Sequence, residues 1–480
     1  MIGVALAHLL PATALWLLGR ACGLHRAIAS RSVRVALSAC GGIGVSAVTT
    51  FCFILLGLHP GLPFVVIDAV LWMAIGGLSW WSTSDERPSG SQPVQIARPM
   101  QLGALSLTDG IVRGLFGVVV AVAVVTVVRG YLALPHGDWD AWAIWNQKAR
   151  FLFRGGSHWT AAFAIDWSHP GHPLLLPLSV ARAWSYAGSE LTIVPALVGI
   201  VFGCGIVAIV MGALDTGRRG AWIAGIVMLT PATFVREWTA QQADIPFAFF
   251  MVAGLVSLGL ARAASRAGSA DVTKLLFVAG ALGSLAAWTK NEGTLLLFVM
   301  AVVVAVVAGR KARFRRCAWW VAGAAPAALA VAWFKIALTP VAPYYLPDGP
   351  LLTTLAERLS SPEHLAVVNA AVWQQWSTWG GPTATGAMAF VSLAAVLVAL
   401  TRTGGSARTV VVVPMAMLAG TYTVYLLTSL DVRWLVATTF SRILAQIWPS
   451  LVLVAFLSRE LAWNRESENL GVGGGVARVP

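Results

Sequence analysis

The sequence predicts an all-α membrane protein with about thirteen transmembrane helices. Of its 480 residues, 58% are hydrophobic and only 11% are charged, whereas roughly a quarter of the residues in soluble domains carry a charge. The apolar residues form runs of roughly 20, the length with which a helix crosses a bilayer. Together these features exclude a water-soluble globule and a large soluble catalytic domain.

The predicted spans extend from the N-terminus to residue 457. They cover residues 2–19, 35–58, 62–81, 111–134, 190–213, 219–235, 245–262, 274–290, 293–309, 317–338, 383–401, 408–430 and 435–457. The run 173–187 is short and contains Pro177 and Arg182, so we interpret it as a helix at the membrane interface. With the N-terminus outside, this topology places nearly every basic loop on the inner side, as the positive-inside rule requires.

The spans divide the chain into three predicted parts. Residues 1–110 form three additional N-terminal helices and a cytoplasmic linker, residues 111–457 form the transmembrane core, and residues 458–480 form a disordered cytoplasmic tail. The net charge of +13 arises mainly from inner loops, where Lys and Arg set the orientation. The basic excess therefore does not indicate a nucleic-acid partner.

Most of the unusual polar residues fall in segments that this topology places on the outer side, which are 135–189, 236–244, 290–293, the long 339–382 and 431–434. Polar groups at membrane depth usually mark a functional site. Segment 339–382 is long for a hairpin and contains the aromatic residues Tyr344, Tyr345, Trp373, Trp376 and Trp379. This is typical of a lid or binding loop and equally of an interfacial anchor. We expect the functional site on the outer face.

The first outer segment contains a helical pattern. Trp142, Trp145, Ala149 and Leu152 form one apolar stripe within residues 136–156. This pattern predicts an amphipathic helix that rests on the membrane surface, with its tryptophans at headgroup level.

Two carboxylates, Asp138 and Asp140, open this helix, and Lys148 lies off its stripe. Asp is a preferred N-cap, so each carboxylate can serve as a cap or face a cleft between the helix and the bundle. Downstream, His169 and His172 have a spacing that suits a divalent metal ion, although their HP dipeptides equally indicate a rigid turn.

Charged residues also occur in the next two outer turns. The loop 236–246 contains Glu237 and Asp244, and the latter could simply cap the following helix. The turn WTKNEG contains Lys290 and Glu292, for which a surface ion pair is the ordinary explanation. Together with Lys148, these four residues are candidate substrate-binding groups.

The last span begins with Arg433 and contains Arg442 about two turns further in. At that depth an arginine costs at least ~2.5 kcal/mol on insertion scales. Arg442 should therefore face a cavity, a carboxylate or an anionic ligand, unless it snorkels to the interface. Asp68, alone in the third span, has no predicted partner.

Carboxylates and cations on the outer face of a bundle suit a substrate that carries a phosphate headgroup in the bilayer. A carboxylate can remove a proton from an acceptor hydroxyl, while Lys or Arg neutralises charge on a departing phosphate. The sequence contains no Walker-A loop and no Rossmann fingerprint. An activated lipid therefore suits the chain better as a donor than a nucleotide does.

Four motifs occur in order along the chain: DWDAW, HPLLLP, AQQADIP and AAWTKNEG. In this order they resemble the C-type membrane glycosyltransferases, which include protein O-mannosyltransferases and the aminoarabinose transferases of lipid A. The resemblance covers roughly residues 111–457, and three extra spans precede this core. Bacterial glycosyltransferase-like membrane proteins are the nearer likeness.

The resemblance implies an inverting transfer of a sugar from a polyprenyl-phosphate donor to a glycan, lipid or protein acceptor at the outer face of a bacterial cytoplasmic membrane. It implies Asp140 as the base, with Asp138 second, Asp244 as the second-loop acid, and Lys290 as the cation near the donor phosphate. The sequence specifies no cofactor, and the two histidines leave a divalent metal ion open. The other partners expected are membrane lipids.

Two further function classes fit the composition. A transporter or flippase of a lipid-linked or anionic solute is the main alternative, although it should show inverted repeats and charges near the midplane. A non-catalytic assembly subunit is the other, and it would tolerate loss of all four residues named by the resemblance.

Overall fold

The computed structural model describes residues 1–83, 107–214, 219–307, 312–339, 347, 349–380 and 405–469. All regular secondary structure in these residues is helical. Nine of the described helices are long and apolar enough to cross a membrane. The chain is a multi-pass integral membrane protein, and the regular secondary structure of its described part is helical.

Eighteen α-helices make up the described fold. The first nine are α1 Ile2–Ala21, α2 Leu24–Ala27, α3 Arg31–Leu55, α4 Leu62–Thr83, α5 Leu107–Ala133, α6 Asn146–Arg154, α7 Leu175–Ala187, α8 Ile193–Ala213 and α9 Arg219–Leu229. The others are α10 Ala232–Arg236, α11 Asp244–Arg266, α12 Val272–Thr289, α13 Glu292–Val307, α14 Arg313–Trp333, α15 Leu351–Leu359, α16 Pro362–Thr378, α17 Gly405–Leu427 and α18 Val432–Asn469. Two π-helical segments, Ala141–Trp145 and Phe334–Leu338, adjoin α6 and α14.

Each predicted span that the structure describes corresponds to one helix, except 219–235, which is divided between α9 and α10 at residues 230 and 231. Three of these helices contain apolar stretches shorter than the nine long ones: Arg219–Leu229, Glu292–Val306 and Val411–Leu427. The predicted span 383–401 lies outside the described residues, so the total of thirteen remains a prediction. Helix α18 continues to Asn469, so the beginning of the predicted tail 458–480 is helical.

Helix α11 is the centre of the bundle. Its apolar stretch is wholly buried inside the protein, and it packs against α8, α12, α17 and α18. A helix that is apolar on all sides is stable only where protein or lipid surrounds it. Its first residue, Asp244, is therefore carried into the protein interior.

The two helices predicted at the membrane interface are buried in protein instead. In α7, every residue from Leu175 to Trp184 is buried. In the first outer segment, Trp145, Ala149 and Leu152 are buried as well, and α6 packs against α7. The predicted stripe exists, but an apolar face does not distinguish lipid from protein as its partner. Only Trp142 at the start of the stripe is exposed.

A buried ion pair explains the arginine in α7 and the aspartate in α4. Arg182 donates from Nε and Nη2 to Oδ2 of Asp68, at 3.0 and 2.6 Å, and its Nη1 donates to the carbonyl of Ala7. The hydroxyl of Tyr186 donates to the same carboxylate at 2.6 Å, and Trp72 donates to Oδ1 at 3.2 Å. This cluster ties α1, α4 and α7 together.

The segment 339–382 is a folded element in its described part. Helix α16 packs against α17 and α18, and Trp379 donates to the carbonyl of Ser441 at 3.0 Å. Tyr344 and Tyr345 lie outside the described residues. The segment thus covers one side of α18, which carries Arg442.

Candidate functional site

Asp244 lies at the centre of a polar cluster within the helical bundle. Its carboxylate is fully buried and accepts a hydrogen bond from Nζ of Lys290 at 2.9 Å. Nε2 of Gln446 donates to the same oxygen, Oδ1. Because burial of an unpaired carboxylate is costly, these donors are what makes a charged residue tolerable at the first position of α11.

Arg442 joins two carboxylates. Its Nε and Nη2 donate to Oδ2 of Asp244, at 3.2 and 2.8 Å, while its Nη1 donates to Oδ2 of Asp140. The side chain of Asp140 is 26% exposed, whereas that of Asp244 is inaccessible. Arg442 therefore holds an interior carboxylate on one side and a solvent-accessible one on the other.

Lys290 and Glu292 enter the cluster through a tight turn between α12 and α13. Nζ of Lys290 lies 3.2 Å from Oε1 of Glu292 and bridges it to Asp244. Gly293 allows this turn, because a Cβ there would lie 2.1 Å from the carbonyl oxygen of Ala286. The predicted mutual ion pair exists, but it belongs to a larger network rather than to an isolated surface turn.

The first outer segment is fastened to the loop before α11. The amide of Asp138 donates to the carbonyl of Ala240 at 3.3 Å, and Asn146 donates to Oε1 of Gln241 at 2.8 Å. Gly137 has φ of 77° and lies so close to this loop that a Cβ would clash with it. These contacts with the loop before α11 fix the position of the segment that carries Asp140, which hydrogen-bonds with Arg442.

The two aspartates at the start of this segment have different partners. Oδ1 of Asp138 accepts from the next backbone amide, that of Trp139, at 2.8 Å. Asp140 occupies the N-cap position of the π-helical segment but makes no capping hydrogen bond. Of the two, Asp140 is the one whose carboxylate is directed toward Arg442.

A cavity of about 360 Å³ opens beside this cluster. The polar part of its wall consists of Asp140, His169, His172, Lys290, Asn291, Glu292, Thr421, Tyr425, Thr439, Arg442 and Gln446. The apolar part consists of Ile144, Trp145, Leu295, Met417, Gly420, Val424, Leu435 and Ile443, largely from α13, α17 and α18. The lining of the cavity therefore combines a group of charged side chains with apolar side chains from membrane helices.

Two lysines hold the histidine turn against this cavity. Lys148 donates to the carbonyl of His169 at 2.7 Å. Lys335, from the second π-helical segment, donates to the carbonyl of Gly171 and to Oδ1 of Asn291, the latter at 2.7 Å. His169 has φ of 50°, and such strained backbone persists only where its surroundings hold it in place.

The environment of this turn disfavours positive charge. Burial, reinforced by the neighbouring Lys335, lowers the pKa of Lys148 to about 7. Burial and the nearby lysines, with Lys148 foremost, also hold the pKa of His172 well below its ordinary value. For Lys290 burial works in the same direction, but Asp244 and Glu292 outweigh it and raise the pKa. The two lysines thus differ because carboxylates raise the pKa of Lys290, whereas burial lowers the pKa of Lys148.

Glu237 lies beside the cluster without being bound into it. Its buried Oε2 has no hydrogen-bond partner among the described residues. Burial and the negative charge of Asp244 raise its pKa to about 7, against the opposing effect of Arg442. This carboxyl group changes its charge near neutral pH, close to Asp244 and Arg442.

The described residues give no support to a metal centre. No group of three His, Cys, Asp or Glu side chains among them could hold a metal ion. Nδ1 of His172 lies 3.4 Å from Nδ2 of Asn291, and the ring of His169 packs edge-on against that of His172. Both histidines thus have positions that packing and the turn already explain.

The structure brings most of the predicted site residues into one place. Asp140, Lys290, Glu292 and Arg442 line the cavity, with Asp244 directly behind them. Asp138, Glu237 and Lys148 lie around this group, whereas Arg433 is exposed at the start of α18 and is not among the described cavity-lining residues.

Three site residues were missed in the sequence: Asn291, Lys335 and Gln446. Gln446 follows Arg442 by one helical turn, so both side chains lie on the same face of α18. Lys335 and Gln446 are polar residues inside apolar spans, which is the signal that identified Arg442. The same criterion applied throughout would have found them.

Comparison with protein-family models, with curated proteins and with solved structures gives no match. The case for a function therefore depends on the chemistry of this site.

Proposed function

We propose that the chain is an inverting glycosyltransferase that uses a polyprenyl-phosphate-linked sugar as its donor. One observation carries the proposal: Asp140, Arg442 and Lys290 line a cavity whose lining also includes apolar side chains of α13, α17 and α18. A polyprenyl phosphate likewise combines an anionic headgroup with an apolar isoprenoid chain. The order of the four sequence motifs supports the same class.

The reaction assigns a role to each charged group. The carboxylate of Asp140 takes the proton of an acceptor hydroxyl, whose oxygen attacks the anomeric carbon of the sugar. As the new C–O bond forms, the bond to the phosphate oxygen breaks, and its electron pair leaves with polyprenyl phosphate. Arg442 and Lys290 neutralise the charge that develops on that phosphate. A single displacement of this kind inverts the configuration.

The proposed location is the outer face of a bacterial cytoplasmic membrane. The basic loops support this orientation, because the positive-inside rule then places the turns around Asp140, Asp244 and Lys290 outside. The acceptor is a glycan, a lipid or a protein that reaches this face.

Lipids that copurify with the protein provide the first test. We expect mass spectrometry to detect polyprenyl phosphate or its glycosylated form, in molar amounts that fall in an Arg442→Gln variant. A second test incubates the purified protein in liposomes with polyprenyl-phosphate sugars and follows release of polyprenyl phosphate. Movement of intact sugar lipid across the bilayer without that release would indicate a transporter instead, and copurification of bulk phospholipid alone would count against a polyprenyl ligand.

A further inference from the structure

Asp140, the proposed base, is hydrogen-bonded to Arg442, one of the two cations proposed to bind the donor phosphate. Arg442 Nη1 donates to Oδ2 of Asp140 in the structure. A phosphate and this carboxylate would compete for the same guanidinium edge, since both are anionic acceptors of charge-assisted hydrogen bonds. Without a donor, the base and this anion-binding group are therefore bound to each other, and neither is available to a substrate.

The two carboxylates bound to Arg442 differ in how firmly they are held. Asp244 is inaccessible to solvent and accepts from Arg442, Lys290 and Gln446. In the described part of the chain, the carboxylate of Asp140 has only Arg442 as a hydrogen-bond partner, and the side chain is 26% exposed. Asp244 therefore anchors the guanidinium, while Asp140 is the exchangeable partner.

The backbone around Asp140 leaves its side chain free to move. Asp140 precedes the π-helical segment and makes no capping hydrogen bond, so release from Arg442 breaks no helix cap. π-helical turns of this kind occur frequently at functional sites. A rotation of one side chain is sufficient to exchange the partner of Nη1.

We propose that the phosphate of the lipid donor displaces Asp140 from Arg442, so that donor binding releases the carboxylate that serves as the base. This inference rests on the proposed function and deepens it. Before the donor binds, Asp140 is held in an ion pair. Afterwards, Asp244 still holds Nε and Nη2 of Arg442, Nη1 contacts the phosphate, and Asp140 turns to the acceptor hydroxyl.

If the phosphate displaces Asp140, removal of the Asp140 carboxylate should strengthen binding of the lipid phosphate. The test measures the affinity of a polyprenyl monophosphate for the full-length protein in detergent, with wild type, Asp140→Asn, Asp140→Ala and Asp138→Asn. We expect both Asp140 variants to bind about two- to fivefold more tightly than wild type, because the competing carboxylate is gone. Asp138→Asn is the matched control and should bind like wild type, since Asp138 bonds to the backbone of Trp139.

Two further ligands identify the source of the effect. Polyprenol, which lacks the phosphate, should bind equally to all four proteins. Inorganic phosphate should displace the lipid only at a large molar excess. Displacement at an equal concentration would assign the anion site to free phosphate and overturn the lipid assignment. The thermal midpoint of each variant establishes that it is folded.

The possible failures are distinguishable. If wild type binds polyprenyl monophosphate and neither Asp140 variant binds it more tightly, the displacement is wrong and the proposed function stands. An equal gain in Asp138→Asn would also overturn it, because the gain would then be a general effect of removing negative charge. If no variant, including wild type, binds the lipid phosphate, the proposed function itself fails, and the displacement fails with it.

Discussion

Arg442 contacts Asp244 through two nitrogens, Nε at 3.2 Å and Nη2 at 2.8 Å, although 198 residues separate the two in the chain. This pair joins the last described helix to the central one. Because Asp244 is fully buried, its charge depends on the cations that surround it. The third nitrogen of the guanidinium, Nη1, donates to Asp140, which lines the cavity.

The first prediction concerns this buried carboxylate. Replacement of Asp244 by Asn leaves Lys290 and Arg442 without their shared counter-charge, and loss of one partner from a buried ion pair costs about 3–5 kcal/mol. We expect a large fall in the thermal midpoint in detergent and loss of sugar transfer. Glu292→Gln is the control, since the side chain of Glu292 is 33% exposed and its loss should cost far less stability. Equal midpoints for the two variants would contradict this account.

The second prediction separates the two candidate bases. Asp140→Asn should lower the transfer rate by about 10²- to 10⁴-fold, the usual contribution of general acid–base catalysis. Asp138→Asn should retain most of the rate, because its carboxylate bonds only locally to Trp139. The measurement is release of polyprenyl phosphate from a lipid-linked sugar. A wild-type rate in Asp140→Asn would exclude Asp140 as the base.

The third prediction is a pH dependence of donor binding. Glu237, with a pKa near 7, is neutral below that pH and negative above it, next to Asp244 and Arg442. Negative charge beside the phosphate site weakens anion binding, so the affinity of wild type for polyprenyl phosphate, divided by that of Glu237→Gln, should fall severalfold between pH 6 and pH 8. The ratio removes two other changes over this range, which are the second ionisation of the phosphate, with a pKa of about 6, and the loss of positive charge from Lys148. A ratio that stays constant would contradict this account.

The fourth prediction concerns the stability contributed by Lys148. The folded protein has a lysine pKa of about 7, whereas an unfolded lysine has one near 10.4. Between these values the unfolded chain binds more protons, so the stability of the folded state rises with pH. Relative to Lys148→Met, the wild-type free energy of unfolding should increase by about 2 kcal/mol from pH 7 to pH 9. A constant difference across this range would show that the buried lysine does not titrate there.

The fifth prediction tests the tie between the N-terminal helices and α7. Asp68→Leu or Arg182→Leu alone leaves a buried charge unpaired and should cost about 3–5 kcal/mol. The double replacement removes both charges and should recover much of the lost stability, since an apolar pair avoids their desolvation. Thermal denaturation of the four proteins measures this coupling. Additive losses in the double variant would mean that the two residues act independently.

Much of the fold follows from the sequence by simple energetics. Long apolar runs must lie in lipid or in protein, and as helices they satisfy their own backbone hydrogen bonds. Asp244, Lys290 and Arg442 stand out for the related reason that a charge within or beside an apolar helix needs a partner. Their identity as candidates required no knowledge of the fold.

Other features required the tertiary structure. The sequence predicted α6 and α7 at the membrane interface, but both pack against other parts of the protein. An apolar stripe could not show this, because lipid and a protein core both stabilise a helix with such a stripe. Asp68 could not be interpreted until Arg182 of α7 was found beside it.

The sequence by itself therefore determined the helical membrane architecture and the short list of charged residues that cannot be left unpaired. Only the tertiary structure decided which charges pair, because a pairing depends on distances between helices that are far apart in the chain. It directed Asp140 toward Arg442 and left Asp138 on its own backbone. Two aspartates that are equivalent in a DxD motif thereby acquired different surroundings.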